Sequence, residues 1–152
     1  MRLLDIMNCK VETVSATESA ERAWRRMRLR KIHHLVVVHD ARVMGVLSDR
    51  DLGGSRGASL RKGRIVAHLM TPFVISAKPT TTIQQAANMM RGHPIGCLPV
   101  MEDRKLVGIV TVADLLALLS REAERPVPKT KRSTVRHRDP KHPHRIPLAH
   151  EL

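Results

Sequence analysis

Shifting the chain against itself by 63 residues superposes two long stretches without a gap. Met7 falls on Met70, Val11 on Val74, Thr17 on Thr80, Ala23 on Ala86 and Met27-Arg28 on Met90-Arg91. Further along, Ile32 meets Ile95, Leu35 meets Leu98, Val37 meets Val100, Asp40 meets Asp103, Gly45 meets Gly108, and Asp51-Leu52 meets Asp114-Leu115. Most remaining apolar positions exchange one apolar residue for another, as Val43/Leu106 and Val46/Ile109 do. An offset held constant from Met7 to Leu52 marks a duplicated unit. One copy alone is too small to bury a comfortable core, so the two copies must close a shared one.

Each unit reads β-α-β-β-α. A short strand (Val11–Val14; Val74–Ala77) leads into a helix for which Thr17 or Thr80 offers an N-cap hydroxyl. Ala20, Ala23, Trp24 and Met27, and in the second copy Ile83, Ala86, Ala87 and Met90, take the i, i+3, i+4, i+7 spacing of one buried face. Trp24, the only tryptophan, is expected in the core or at a dimer interface. Arg22, Arg25, Arg26, Arg28 and Arg30 fall on the opposite side of the first helix. An apolar strand, Leu35–Val38 or Leu98–Met101, then enters a polar turn, and a second strand, Val43–Leu47 or Leu106–Val110, closes the hairpin. A final helix is expected from Asp49 in the first copy and from Val112 in the second. The expected boundaries are 2–52 and 64–120 for the repeats, 53–63 for a Gly/Ser/Arg-rich linker, and 121–152 for a tail.

Composition narrows the function. Of 152 residues, 27 are Lys or Arg and 14 are Asp or Glu, a net charge of +13 with His neutral. The tail, rich in Pro, Arg, Lys and His with no apolar period, reads as a disordered basic segment. No window has the ~18 consecutive apolar residues of a membrane span. Asp5 interrupts the short apolar run at the N-terminus, which does not read as a signal peptide. Cys9 and Cys97 make no CxxC pair and no disulfide framework, so the chain reads as cytoplasmic. HExxH, GxGxxG and P-loop motifs are absent and no Ser/His/Asp set is tied to a strained elbow, which argues against an enzyme. His137, His142, His144 and His150 sit in a Pro-broken stretch without the fixed geometry a metal needs.

The chemistry gathers where each hairpin ends, at Gly45-Val46-Leu47-Ser48-Asp49-Arg50-Asp51 and Gly108-Ile109-Val110-Thr111-Val112-Ala113-Asp114. A hydroxyl is followed three residues later by a carboxylate. One reading is a helix cap, with Ser48 or Thr111 at the N-cap and Asp51 or Asp114 favoured by the helix dipole. The other is a nucleotide cradle, in which the carboxylate accepts from a ribose diol while the hydroxyl and nearby N–H groups face a phosphate.

The duplicated Gly-apolar-apolar-Ser/Thr-x-x-Asp pattern, with Ile-Gly-Cys-Leu-Pro-Val at 95–100, resembles a tandem pair of cystathionine-β-synthase-type (CBS) domains over residues 2–120. The resemblance implies an α/β (α+β) fold of two repeats packed pseudo-symmetrically through their sheets. It also implies two clefts suited to AMP, ADP, ATP or S-adenosylmethionine, and further association into a homodimer. One cleft would use Thr111 and Asp114 with Thr17, His33, His34 and Val36; the other would use Ser48, Arg50 and Asp51 with Thr80, Gly96, Cys97 and Pro99. Val36 stands where the second copy has Pro99, adding an N–H to that cleft. His33-His34 stand opposite Gly96-Cys97, so the clefts are expected to be unequal, with imidazolium in one and the Arg50 guanidinium in the other as candidate phosphate partners. The function implied is a regulatory ligand sensor acting on a partner protein. The competing reading is a non-catalytic interaction protein with empty clefts, binding nucleic acid or an acidic partner through its basic tail and Arg-rich helix.

Overall fold

The structure is a computed structural model describing residues 1–72 and 74–123; the expected basic tail and its histidines lie, from Glu124 onward, outside the described residues. The elements run β1 (Thr13–Ser15), α1 (Ala20–Arg30), β2 (His34–His39), β3 (Arg42–Ser48), α2 (Ala58–Arg61), α3 (Val66–Leu69), α4 (Ile83–Gly92), β4 (Cys97–Glu102), β5 (Lys105–Thr111) and α5 (Val112–Ala123).

The hairpins β2–β3 and β4–β5 are antiparallel and share one register at the 63-residue offset, including a shift after Val37 and after Val100. Their turns place Asp40-Ala41 and Asp103-Arg104 at positive φ, the conformation that matches the twist of a two-residue hairpin loop. In the first repeat β1 adds in parallel to β2, Val14 beside Val37. In the second, the strand expected over Val74–Ala77 shrinks to a single bridge, Ala77 to Val100. The cause is Pro99. Val36 donates its N–H to Glu12 O at 3.1 Å, whereas proline at the same place has no N–H to give. The extra donor at Val36 is therefore spent on the sheet.

The helix caps fall two residues beyond Thr17 and Thr80. Ser19 Oγ accepts from Arg22 N, and Thr82 with Gln85 forms a reciprocal capping box. Thr17 Oγ1 lies 3.0 Å from Ser15 Oγ. On the buried face Ala20, Ala23 and Met27, and Ala86 and Met90, are buried as expected; Trp24 is half-buried and Ala87 exposed.

The helix expected after Asp49 does not form. The chain turns instead into a 3₁₀ segment at Gly54–Arg56, with Gly53 and Gly54 at positive φ. The supposed linker is folded against α1. Arg61 is 3% exposed; its Nε donates to Glu21 Oε2 at 2.8 Å and its Nη1 to the carbonyls of Leu52 and Gly54. Its guanidinium also stands 4.5 Å from the Trp24 ring centroid.

Each repeat's leading segment crosses to the other's hairpin. Asn8 pairs with Ile109 through two hydrogen bonds, and Thr71 pairs with Val46 in the equivalent place. Leu3, before the first repeat's strand, packs in the core of the second with Leu98, Val100 and Val110. A central layer of Val36, Cys97 and Ile109 joins the two halves. This exchange leaves one opening on each side of the pseudo-twofold axis.

Candidate functional site

The two openings are lined much as the hairpin ends suggest. The larger, about 520 Å³, contains Ser48, Asp49, Arg50 and Asp51 with Gly96 and Cys97 of the other repeat. The smaller, about 350 Å³, contains Thr111 and Asp114. We call them the Ser48 cleft and the Thr111 cleft. His33 and His34, expected on the Thr111 side, line both. Thr17 and Thr80 are not among the residues lining either cleft; Thr17 lies in a separate shallow depression beside Ser19 and Arg64. Val36 and Pro99, each expected in a cleft, are fully buried and are not among the residues lining either one.

Both hairpin-end carboxylates act as caps. Asp114 Oδ2 accepts from Thr111 N at 2.7 Å and from Thr111 Oγ1 at 2.9 Å, while Asp114 N donates back to Thr111 Oγ1 at 3.2 Å. Asp51 Oδ2 accepts from Ser48 N at 2.9 Å, and Asp51 N donates to Ser48 Oγ at 3.1 Å. The ring closes in the first repeat although no α-helix follows. Among the described residues every bond that these two carboxylates accept falls on Oδ2, so capping leaves the Oδ1 of each free to accept from elsewhere. The cap and the cradle are compatible, because they use different oxygens.

The electrostatics differ between the sides. His33 Nδ1 lies 3.0 Å from Asp49 Oδ2, an exposed contact at the mouth of the Ser48 cleft. Burial holds the His34 imidazole below its ordinary range despite the pull of Asp49, so an imidazolium there needs a bound anion to stabilise it. Burial, with Asp51 nearby, pushes the Cys97 thiol up to about 12. Lys10, Glu12 and Lys31 also line the Thr111 cleft. Sequence reasoning missed these three, because Lys10 and Lys31 fall in segments read only as connections and Glu12 was read only as part of the first short strand. The five arginines of α1 are less free than their helical spacing suggests. Arg26 pairs with Glu18 at 2.7 Å, Arg30 with Glu12 at 2.8 Å, and Arg28 stands over Trp24.

The CBS domain family matches this chain twice, at residues 3–52 and 66–121. The chain belongs to the CBS domain family. Among relatives, it is 31% identical over 112 residues to the CBS domain-containing protein YhcV of Bacillus subtilis, an alignment covering 73% of this chain and 80% of that one. It is also 35% identical over 106 residues to an inosine-5′-monophosphate dehydrogenase of Korarchaeum cryptofilum, covering 69% of this chain but 21% of the enzyme. The likeness to the dehydrogenase is thus to a small part of it. Among solved structures, the CBS domain pair of MJ0100, in complex with 5′-methylthioadenosine and S-adenosyl-L-methionine, superposes with a TM-score of 0.73 at 25% identity, over 80% of this chain and 98% of that one. CBSX2 in complex with AMP superposes with a TM-score of 0.68 at 26% identity, over 80% and 98%. The fold is the CBS pair, and CBS pairs similar to this one bind adenosyl compounds. Among the described residues no helix is long and apolar enough to cross a membrane.

Proposed function

We propose that this CBS pair is a non-catalytic, cytoplasmic ligand sensor that binds an adenine nucleotide (AMP, ADP or ATP) or S-adenosylmethionine between its repeats and alters how a partner protein is engaged. The observation that carries the reading is the position of Asp51 and Asp114, each fixed at a cleft by its own cap with one carboxylate oxygen to spare for a ribose diol. The adenosyl complexes of MJ0100 and CBSX2 support it. Ser48, Arg50, Asp51, Gly96 and Cys97 form one ligand set; Thr111 and Asp114 form the other, and His33 and His34 serve both. A ligand regulates such a module only through unequal affinity for two states of the pair. In this reading the ligand is held between the repeats 2–52 and 64–120, with 53–63 joining them.

The sensor acts as a homodimer. α5 has no buried residue, and its Leu116 and Leu119 are 57% and 63% exposed beside Ala87 and Met90 of α4. A second copy of this chain supplies an equally apolar face to cover them. Titration calorimetry with AMP, ATP and S-adenosylmethionine tests the sensor. Saturable binding by at least one, abolished by Asp51→Asn or Asp114→Asn, is the expected result. Binding by none, or binding indifferent to both substitutions, refutes it.

A further inference from the structure

Among the described residues, Asp114 excepted, every Lys, Arg, His, Asp or Glu that lines either cleft belongs to the first repeat. The second repeat carries Ile75 and Pro94 where the first has Glu12 and Lys31, and Val112-Ala113 where the first has Asp49-Arg50. Duplication has thus been followed by a division of labour, with charge from one copy and apolar wall from the other. Because the leading segments cross over, the charges of the first repeat are dealt unequally to the two sides.

The Ser48 cleft receives Asp49 and Asp51 against a single Arg50. That guanidinium lies between two carboxylates along the chain, so the cleft's permanently charged groups and carboxylates sum to a net negative side. The Thr111 cleft receives Lys10 and Lys31 against Glu12 and Asp114. Glu12 Oε1 is already held by Arg30 Nη1 at 2.8 Å, so this side is net positive. Concave walls of low dielectric strengthen such differences relative to open water. The ribose-facing aspartate is common to both sides and does not discriminate.

We propose that the two clefts sort adenosyl ligands by charge. The Thr111 cleft takes the 5′-phosphorylated ligand, with Lys10 and Lys31 setting the preference. The Ser48 cleft takes an adenosyl ligand whose 5′ substituent carries no negative charge. The proposal rests on the adenosyl reading above and adds to it which cleft accepts which charge.

The test is calorimetric titration of AMP and of adenosine, which share base and ribose and differ by the phosphate. The full chain is titrated as wild type, as Asp51→Asn, as Asp114→Asn and as the pair Lys10→Gln/Lys31→Asn. Lys31 occupies the left-handed region at φ 53, where asparagine is tolerated better than alanine. Asp114→Asn is expected to remove the AMP isotherm, and Asp51→Asn the adenosine isotherm. The lysine pair is expected to weaken AMP by roughly tenfold while changing adenosine by less than about twofold. Raising salt is expected to weaken AMP alone. An AMP isotherm lost in Asp51→Asn, or equal weakening of both ligands by the lysine pair, overturns the sorting and leaves the adenosyl reading standing. Failure of both compounds to bind wild-type protein overturns the sorting together with its basis.

Discussion

A Cβ added at Gly96 would stand 2.7 Å from Nε2 of His34. At the 63-residue offset Gly96 is the counterpart of His33, and His34 the counterpart of Cys97. The contact therefore lies where the two copies meet, and both residues line both clefts. Gly96→Ala is expected to push the imidazole aside rather than move backbone, at a cost of about 1 kcal/mol. In a urea-unfolding double-mutant cycle His34→Ala should absorb that cost, because the ring is what the methyl group meets. Additive effects would show that the two residues do not press on each other.

The same imidazole makes stability depend on pH. Its folded pKa lies below the usual 6.5, chiefly through burial. Between those two values the unfolded chain binds more protons, so the neutral ring contributes fully above about pH 6.5, and its contribution falls as the pH drops toward the folded pKa. Thermal unfolding from pH 7.5 down to 5 should show a fall in Tm that is shallower in His34→Gln. Parallel curves for the two proteins would contradict the assignment.

Arg61 is expected to be the most costly single truncation in the stretch between the repeats. Arg61→Ala removes the partners of the Leu52 and Gly54 carbonyls and of Glu21, and uncovers Trp24. The Glu21 side chain is itself 37% exposed, so the carboxylate recovers part of its loss from water. The expected cost is about 2–4 kcal/mol, mostly from the carbonyls and the lost packing. Lysine, a point charge without the planar fork, should not restore it. Emission from the lone Trp24 reports the change directly, shifting to the red as the ring meets water. A loss below about 0.5 kcal/mol would place Arg61 among ordinary surface residues.

These cases show where a sequence is transparent. Both hairpins and the Ser48/Asp51 and Thr111/Asp114 rings were legible because they are local, built from residues a few positions apart and repeated. The absent helix after Asp49 was less so, since Asp51 carries the same start signal as Asp114 and only Gly53-Gly54 reverses it. The Thr82-x-x-Gln85 box was readable and points past Thr80; Ser19-x-x-Arg22 carries only half that signal. Arg61 could not be found from its neighbours. Its surroundings are Gly, Ser and Arg, and its burial is created by Glu21 and Trp24 across 40 and 37 positions of chain. Lys10 and Lys31 escaped notice for the same reason, because a cleft between two copies exists only after the crossing of Asn8 onto Ile109.

The exposed leucines of α5 give an assembly prediction. Leu116→Glu with Leu119→Glu introduces four like charges into the face that two copies would share. Sedimentation should show a dimer for wild type and a monomer for the double variant, with the far-UV spectrum unchanged because neither side chain is buried in the single chain. A wild-type monomer at tens of micromolar would remove this face from consideration as the dimer interface.

The two cysteines should separate cleanly by reactivity. Cys9 is exposed, whereas Cys97 is buried against Val36 and Ile109. Since the thiolate is the reactive form, a thiol pushed up to about 12 is almost wholly protonated at pH 8 and reacts slowly even with a small disulfide reagent. Native protein should release one equivalent of thiol rapidly and the second only at the rate of opening, with both rapid in urea. Cys97 also lines the Ser48 cleft, so a ligand seated there should slow the second equivalent further and leave Cys9 untouched. A ligand confined to the Thr111 cleft would protect less, because Cys97 is not part of that wall. The slow phase thus reports occupancy of one cleft independently of binding heat, and fast labelling of Cys97 in the native protein would contradict the burial on which this depends.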